Sequence, residues 1–180
     1  EATYIGFNMW LKAVEKAGGG LYDEPIFLAV TMKRILISND DGIRAPGLAA
    51  LEQALAPLGE LYVVAPDQEQ SASSHSLTLK RPLRAREKGE RKFAVDGTPT
   101  DCVHLAVNGL FRDIKFDMVA SGINRGGNMG DDITYSGTVS AAMEATILGV
   151  PSLAVSLDGR NGRHWETAGI YAARVASYIL

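Results

Sequence analysis

Asp40 and Asp41 stand side by side directly after the apolar run RILIS (34–38), between Asn39 and Gly42. Aspartate and asparagine disfavour strands, and adjacent carboxylates repel each other. A buried strand that ends this way needs a counter-charge or a local use for the acids. A divalent cation is one answer, and hard carboxylate oxygens suit Mg²⁺ or Mn²⁺. An Asx turn that caps the next helix is the other. Three more stretches carry residue types suited to phosphate chemistry. DQEQSAS (67–73) offers hydroxyls at Ser71 and Ser73. INRGGNMGDD (123–132) sets Asn124 and Asn128 among glycines. That pattern fits a loop whose backbone N–H groups face an anion, or a plain turn. YSGTVSAA (135–142) puts Ser136, Gly137 and Thr138 at the start of a helix. Free N–H groups and the helix dipole favour phosphate there, although an ordinary Ser/Thr cap uses the same residues.

The surrounding pattern brings these stretches to one place. RILIS (34–38), LYVVA (61–65), FDMVAS (116–121) and PSLAVS (151–156) are apolar runs of the kind that parallel strands covered on both faces require. Between them run helical patterns. Pro46 opens one with Leu48, Leu51, Leu55 and Leu58 at helical spacing, ended by Gly59. Thr98, Pro99 and Asp101 form a capping-box signature for a helix through Leu110. GTVSAAMEATILG (137–149) and HWETAGIYAARVASYIL (164–180) follow. The second of these helices predicts a packing face of Ala168, Tyr171, Val175 and Ile179. SLTLKRPLRAREKGERKFAV (76–95) is basic and strand-like, and Gly89 predicts a turn within it, so an exposed β-hairpin is expected. Strand–helix alternation predicts a three-layer α/β, Rossmann-like, doubly wound and mostly parallel sheet. In such sheets ligands bind beyond the carboxyl ends of the strands, where all four polar stretches fall.

Residues 1–31 read as an appended leader, with YIGFNMWLKAVEKA as a short amphipathic helix stopped by Gly18–Gly20 and IFLAV (26–30) as a strand. Residues 32–180 read as the folded core. The 180-residue chain carries 46% hydrophobic and 22% charged residues and a net charge of −3. That composition suits one globular core and gives no general attraction to a nucleic-acid duplex or an anionic membrane. A single cysteine, Cys102, permits no intrachain disulfide, which fits a cytoplasmic location. No run of apolar residues is long enough to span a membrane, and the N-terminal stretch lacks the pattern of a secretory signal.

The segments ILISNDDGIRAPGL, VVAPDQEQSASSHSLTL, VDGTPTDCVHLA and VASGINRGGNMGDDITYSGTVSAAMEA resemble the SurE family, the survival-protein-E nucleotidases. The resemblance is collinear from Met32 to the C-terminus. It implies metal-dependent hydrolysis of nucleoside monophosphates, a 5′-nucleotidase activity, with 3′-nucleotides and short polyphosphate as substrates of some members. It implies one Mg²⁺ or Mn²⁺ held by Asp40, Asp41, Ser71 and Asn124, with Asn128, Ser136, Gly137 and Thr138 at the substrate phosphate. Two anionic and two neutral ligands leave octahedral positions for water and a substrate oxygen. Asp40 or Asp41 would orient or deprotonate the attacking water. The Asp-x-Asp spacing of haloacid-dehalogenase phosphatases is absent, because these acids are adjacent. Family members usually continue well beyond the position of Leu180, in a part that supplies a lid, nucleoside contacts and a subunit arm. A core incomplete at its C-terminus, forming a homo-oligomer, is therefore the expectation. The alternative is a non-catalytic nucleotide- or phosphate-binding remnant or an interaction module.

The remaining candidates are read as follows. His75 lies beside the Ser71 stretch, within reach of a substrate. His104 reads as structural and His164 as a surface residue. Cys102 sits in the first turn of a helix, where a thiol pKa can fall, but has no evident catalytic partner and reads as packing. A receiver-type signalling domain also carries acids after its first strand. It would need an aspartate after the third core strand, where Asn124 stands.

Overall fold

A computed structural model describes residues 32–70, 73–159 and 164–180. The leader elements expected within residues 1–31, and Ser71, lie outside the described residues. The six strands are β1 (Lys33–Ser38), β2 (Gly59–Pro66), β3 (Ala85–Gly89), β4 (Lys92–Val95), β5 (Met118–Arg125) and β6 (Ser152–Leu157). The helices are α1 (Pro46–Leu55), α2 (Pro99–Leu105), α3 (Gly137–Ile147) and α4 (Trp165–Ile179). The strands form one sheet in the order β3-β4-β2-β1-β5-β6. All neighbours are parallel except the β3–β4 hairpin. The chain winds outward from β1 to β2 in one direction and from β5 to β6 in the other. The crevice between β1 and β5 is thus the topological switch point, where doubly wound sheets bind ligands.

β1 shows why the run forms a central strand. Ile35 and Ile37 point to one face and Leu36 to the other, and all three are fully buried. On the first face, Leu48, Leu51 and Leu55 of α1 pack with Ala172 and Ala176 of α4. On the second, Leu36, Val64, Val103 and Ala106 pack with Ala141 and Ala145 of α3. That second core carries aromatic edge-to-face contacts, with the Tyr62 ring 4.8 Å from Phe111 and 5.2 Å from Phe116. Burying each of the large aliphatic side chains contributes roughly 2 kcal/mol before ordering costs.

Three expectations are corrected. The hairpin is shorter than residues 76–95, and its second strand, β4, is no free arm. It pairs in parallel with β2, Val63 opposite Lys92 and Pro66 opposite Val95. Only β3 is exposed along its whole length. β5 continues past Ser121 to Arg125, so Asn124 stands on a strand end, not in the loop. Finally, α4 buries Gly169, Ala172 and Ala176, while Tyr171 is 61% and Val175 44% exposed. Small size selects that face: a Cβ on Gly169 would lie 3.0 Å from Ala54 Cβ of α1. Of the expected face, Ala168 and Ile179 do pack at the edge of the core.

Candidate active site

β1 delivers Asn39, Asp40 and Asp41 to the switch point. Asn39 is fully buried and bridges the turn: its Nδ2 donates to Gly42 O at 3.0 Å, and Gly42 N donates to its Oδ1 at 3.2 Å. Asn39 thus holds the turn after β1, but no side chain caps α1, whose N-cap is Ala45, so the alternative reading of the acids as caps of the next helix is not met. Asp40 and Asp41 are left to face other elements.

Asp40 is 5% exposed. Its Oδ1 accepts a hydrogen bond from Thr138 Oγ1. Burial pushes its carboxyl up, while the Thr138 hydroxyl and nearby backbone N–H groups pull in the opposite direction. Asp41 is half-buried and accepts from Arg125 N at 3.3 Å. Burial raises its pKa first and the Asp40 charge second. Among the described residues neither acid has an ion-pair partner. Two desolvated, mutually repelling carboxylates are costly without a counter-charge.

α3 arrives directly over Asp40. Ser136 caps the helix, its Oγ accepting from Val139 N at 3.2 Å. Thr138 binds Asp40, so both side chains are already used in holding the site together. Gly137 makes the approach feasible. A Cβ there would sit 2.7 Å from Asp40 Cβ, 2.9 Å from Ser73 Oγ and 3.0 Å from Asp40 Oδ2. Ser73 Oγ is itself buried without a hydrogen-bond partner among the described residues. Its hydroxyl and the Asp40 carboxylate therefore share one small space beneath the start of α3.

β5 supplies the other wall. Its ladder with β6 shifts so that Ser121 pairs with Ala154 but Asn124 pairs with Ser156, three steps on one strand against two on the other. Gly122 lies in this bulge at φ +132°, and a Cβ there would meet Val155 O at 2.3 Å. Only glycine suits both demands. The bulge places Asn124 at the crevice. Its Nδ2 donates to Gly126 O at 2.9 Å, which directs the amide oxygen away from that turn. Asn128 is drawn elsewhere: its Nδ2 donates to Ser156 Oγ at 2.7 Å, at the end of β6. The structure thus brings Asp40, Gly137, Thr138 and Ser73 into one tight group. Asp41 and Asn124 stand on the neighbouring strand ends, and Asn128 leans toward β6.

The donor set fits a hard divalent cation. Among the described residues the two carboxylates form no ion pair, Arg125 only partly offsetting Asp41, the Ser73 hydroxyl is unpartnered, and Asn124 offers an amide oxygen. Among the described residues no three or more His, Cys, Asp or Glu converge on one point, so neutral oxygens must complete any shell. A groove of about 720 Å³ lies on the other face of the sheet, between α1 and α4, lined by Ala50, Ala54, Trp165 and Gly169 among others. It has none of the acids and is not the site. Glu144, which pairs with both His75 and His104, carries no local signal in the sequence, because these contacts span 69 and 40 residues.

The profile of the family described as Survival protein SurE matches residues 35–180. A protein named 5′-nucleotidase SurE from Geotalea uraniireducens is 58% identical over 147 residues, covering 81% of this chain and 59% of the relative. Its namesake from Legionella pneumophila is 54% identical over 142 residues, covering 79% and 56%. The crystal structure of the SurE protein from Aquifex aeolicus superposes with a TM-score of 0.77 at 47% identity, covering 81% of this chain and 60% of that one. The chain therefore spans less than two thirds of the length of the relatives it matches. The match runs through the strand ends just described, and the chain belongs to the SurE family.

Proposed function

We propose that residues 32–180 form the core of a metal-dependent phosphomonoesterase acting on nucleoside monophosphates, with residues 1–31 as an appended leader. One observation carries this reading: two desolvated carboxylates, Asp40 and Asp41, meet at the switch point of a doubly wound sheet, and among the described residues neither forms an ion pair. The relatives' name, 5′-nucleotidase, supplies the substrate class. In this reading Asp40, Asp41, Asn124 and Ser71 hold one Mg²⁺ or Mn²⁺, with Ser73 beside them. Bound there, the ion supplies a counter-charge and Lewis-acid polarisation of a phosphoryl oxygen.

The chain's own residues do the rest. Thr138 fixes Asp40 in one rotamer, and Arg125 N restrains Asp41, so both acids are pre-oriented for the incoming group. One of the two carboxylates accepts the proton of the attacking water. The start of α3, at Ser136, Gly137 and Thr138, and the amide of Asn128 form the walls of the phosphate subsite. Backbone dipoles there favour the charge that develops on the equatorial oxygens. Action on 3′-nucleotides and short polyphosphate is part of the same proposal, since each presents a terminal phosphoryl group. Self-association fits it too: Ile170, Tyr171, Val175 and Tyr178 leave an apolar band of α4 exposed. No helix among the described residues is long and apolar enough to cross a membrane.

Phosphate release from a panel of nucleoside monophosphates, with Mn²⁺, Mg²⁺ or EDTA, tests the reading. Turnover with a divalent ion, lost in EDTA and in Asp41→Asn, is expected. A chain that binds nucleotide but releases no phosphate would be the non-catalytic remnant instead.

A further inference from the structure

Glu144 is a buried acid that the proposed chemistry does not use. It lies on α3, seven residues beyond Gly137, and is 4% exposed. Each of its oxygens is taken by a different histidine. His75 Nε2 lies 2.8 Å from Oε2, and His104 Nδ1 lies 2.8 Å from Oε1. A buried carboxylate is tolerated only when its lone pairs are met, and two imidazoles meet them here. Seven residues bring a helix back to nearly the same face, about 10 Å further along. Gly137 and Glu144 are therefore two points on one edge of α3.

The segment 73–78 is laid along that edge. Ser73 meets the helix at Gly137, beside Asp40. Ser74 N donates to Tyr135 O at 3.3 Å. His75 meets the helix again at Glu144. Beyond it, Thr98 Oγ1 donates to Ser76 O at 2.7 Å, and Thr78 donates to Asp101 through its amide at 2.8 Å and its hydroxyl at 2.6 Å. The far end is thus tied to the start of α2. Next to the site, the only tie through a side chain of this segment to a buried charge is His75–Glu144, among the described residues.

We propose that Glu144 is a positioning residue for hydrolysis. Through His75 it fixes the 73–78 segment, and so holds the Ser73 hydroxyl against Asp40. The inference rests on the phosphomonoesterase reading. His104 serves a separate purpose on the other carboxylate oxygen, joining α2 to α3.

The test uses the full chain and the variants His75→Ala, His104→Ala, Glu144→Ala, Glu144→Gln and His75→Ala/Glu144→Ala. Four quantities are read: kcat and KM for nucleotide hydrolysis with Mn²⁺, the Mn²⁺ dissociation constant by calorimetry, the unfolding midpoint, and hydrogen exchange of the Ser74 amide. Partners that orient site groups typically change activity or metal affinity by about 10- to 100-fold. His75→Ala should therefore lower kcat about tenfold, weaken Mn²⁺ binding and speed Ser74 exchange. Glu144→Ala should do the same, and the double variant should be no worse than either. Glu144→Gln should recover part of the loss, because an amide can pair with both rings in suitable tautomers. His104→Ala should lower the midpoint and leave kcat within about twofold, by the same reasoning. Wild-type kinetics and Mn²⁺ affinity in His75→Ala would overturn the inference. So would multiplying losses in the double variant, or equal losses in His104→Ala. A wild-type chain that releases no phosphate would sink the hydrolase reading instead, and Ser74 exchange would still decide the anchoring.

Discussion

The two faces of the sheet are built on different principles. Toward α1 and α4 the core is aliphatic and closed by small residues: Leu48, Leu51 and Leu55 against Ala172 and Ala176. That face holds the 720 Å³ groove and an exposed apolar band on α4. Toward α2 and α3 the core is aromatic, and a buried polar lattice lies over it. Thr138, Glu144 and Asp101 are all nearly inaccessible, and each binds a group from another element. Apolar packing is non-directional and supplies stability. Buried hydrogen bonds are directional and fix one arrangement among several that pack equally well. The face that carries this groove is thus the one without the chemistry. Stability and positioning are assigned to opposite sides of one sheet.

That contrast can be broken by substitutions of decreasing effect. Leu51→Ala should destabilise the fold by about 3 kcal/mol, because the residue is fully buried and a cavity would remain. Below its lowered unfolding midpoint the variant should keep wild-type kcat/KM. A comparable loss of rate in the folded variant would mean that the α1–α4 face also positions the site. Gly137→Ala should do the reverse. Its Cβ would press Asp40 and Ser73 apart, and a displacement near 1 Å costs roughly 100-fold in rate. Calorimetric unfolding should show the protein folded at the assay temperature, so that steady-state kinetics alone records the damage.

How far these effects were legible in the sequence follows the same division. β1 and α1 announce themselves, because an apolar run and leucines at helical spacing are local signals. The acids after β1 are equally local, and so is the Ser136 cap. Three features were not. Hydrophobicity points to Tyr171 and Val175 for the α4 face, whereas close approach to α1 selects Gly169, Ala172 and Ala176 by size. Asn124 looks like a loop residue in sequence, because a bulge at Gly122 that prolongs β5 depends on its β6 partner. Glu144 looks like one more helix surface residue until His75 and His104 arrive from distant parts of the chain.

Two smaller effects sharpen the comparison on the polar side. Asp101→Ala removes the acceptor for Thr78 and for Thr98 N, and with it the α2 capping box. A loss of about 2 kcal/mol in urea unfolding is expected. A change below about 0.5 kcal/mol, the scale of a surface substitution, would show that the capping network adds little. Cys102 tests the dielectric of the same layer. Burial pushes its thiol well above its ordinary 9.0, with the Asp101 and Asp67 charges adding to the shift. The unfolded chain therefore loses this proton at lower pH than the folded chain does. The associated stability is intact below pH 9 and falls as pH rises above it, by at most ~1.4 kcal/mol per unit. Stability curves of wild type and Cys102→Ala should run parallel below pH 9 and converge or cross above it. Parallel curves throughout would mean that water reaches the thiol.

The two rims of the sheet also differ in their exposure to unwanted growth. β3 finishes one rim with Ala85, Arg86, Glu87, Lys88 and Gly89, all exposed, and its register slips between Glu87 and Gly89. A strand docking there would have to strip water from three consecutive charges and follow an irregular ladder, so this rim acts as a gatekeeper. Among the described residues β6 has no such defence. Its sequence, SLAVSL, carries no charge, and among the described residues it pairs only with β5. When the protein is concentrated or partly unfolded, strand addition between molecules should therefore begin at β6. A lysine in place of Ala154, the exposed position at the middle of β6, should delay it.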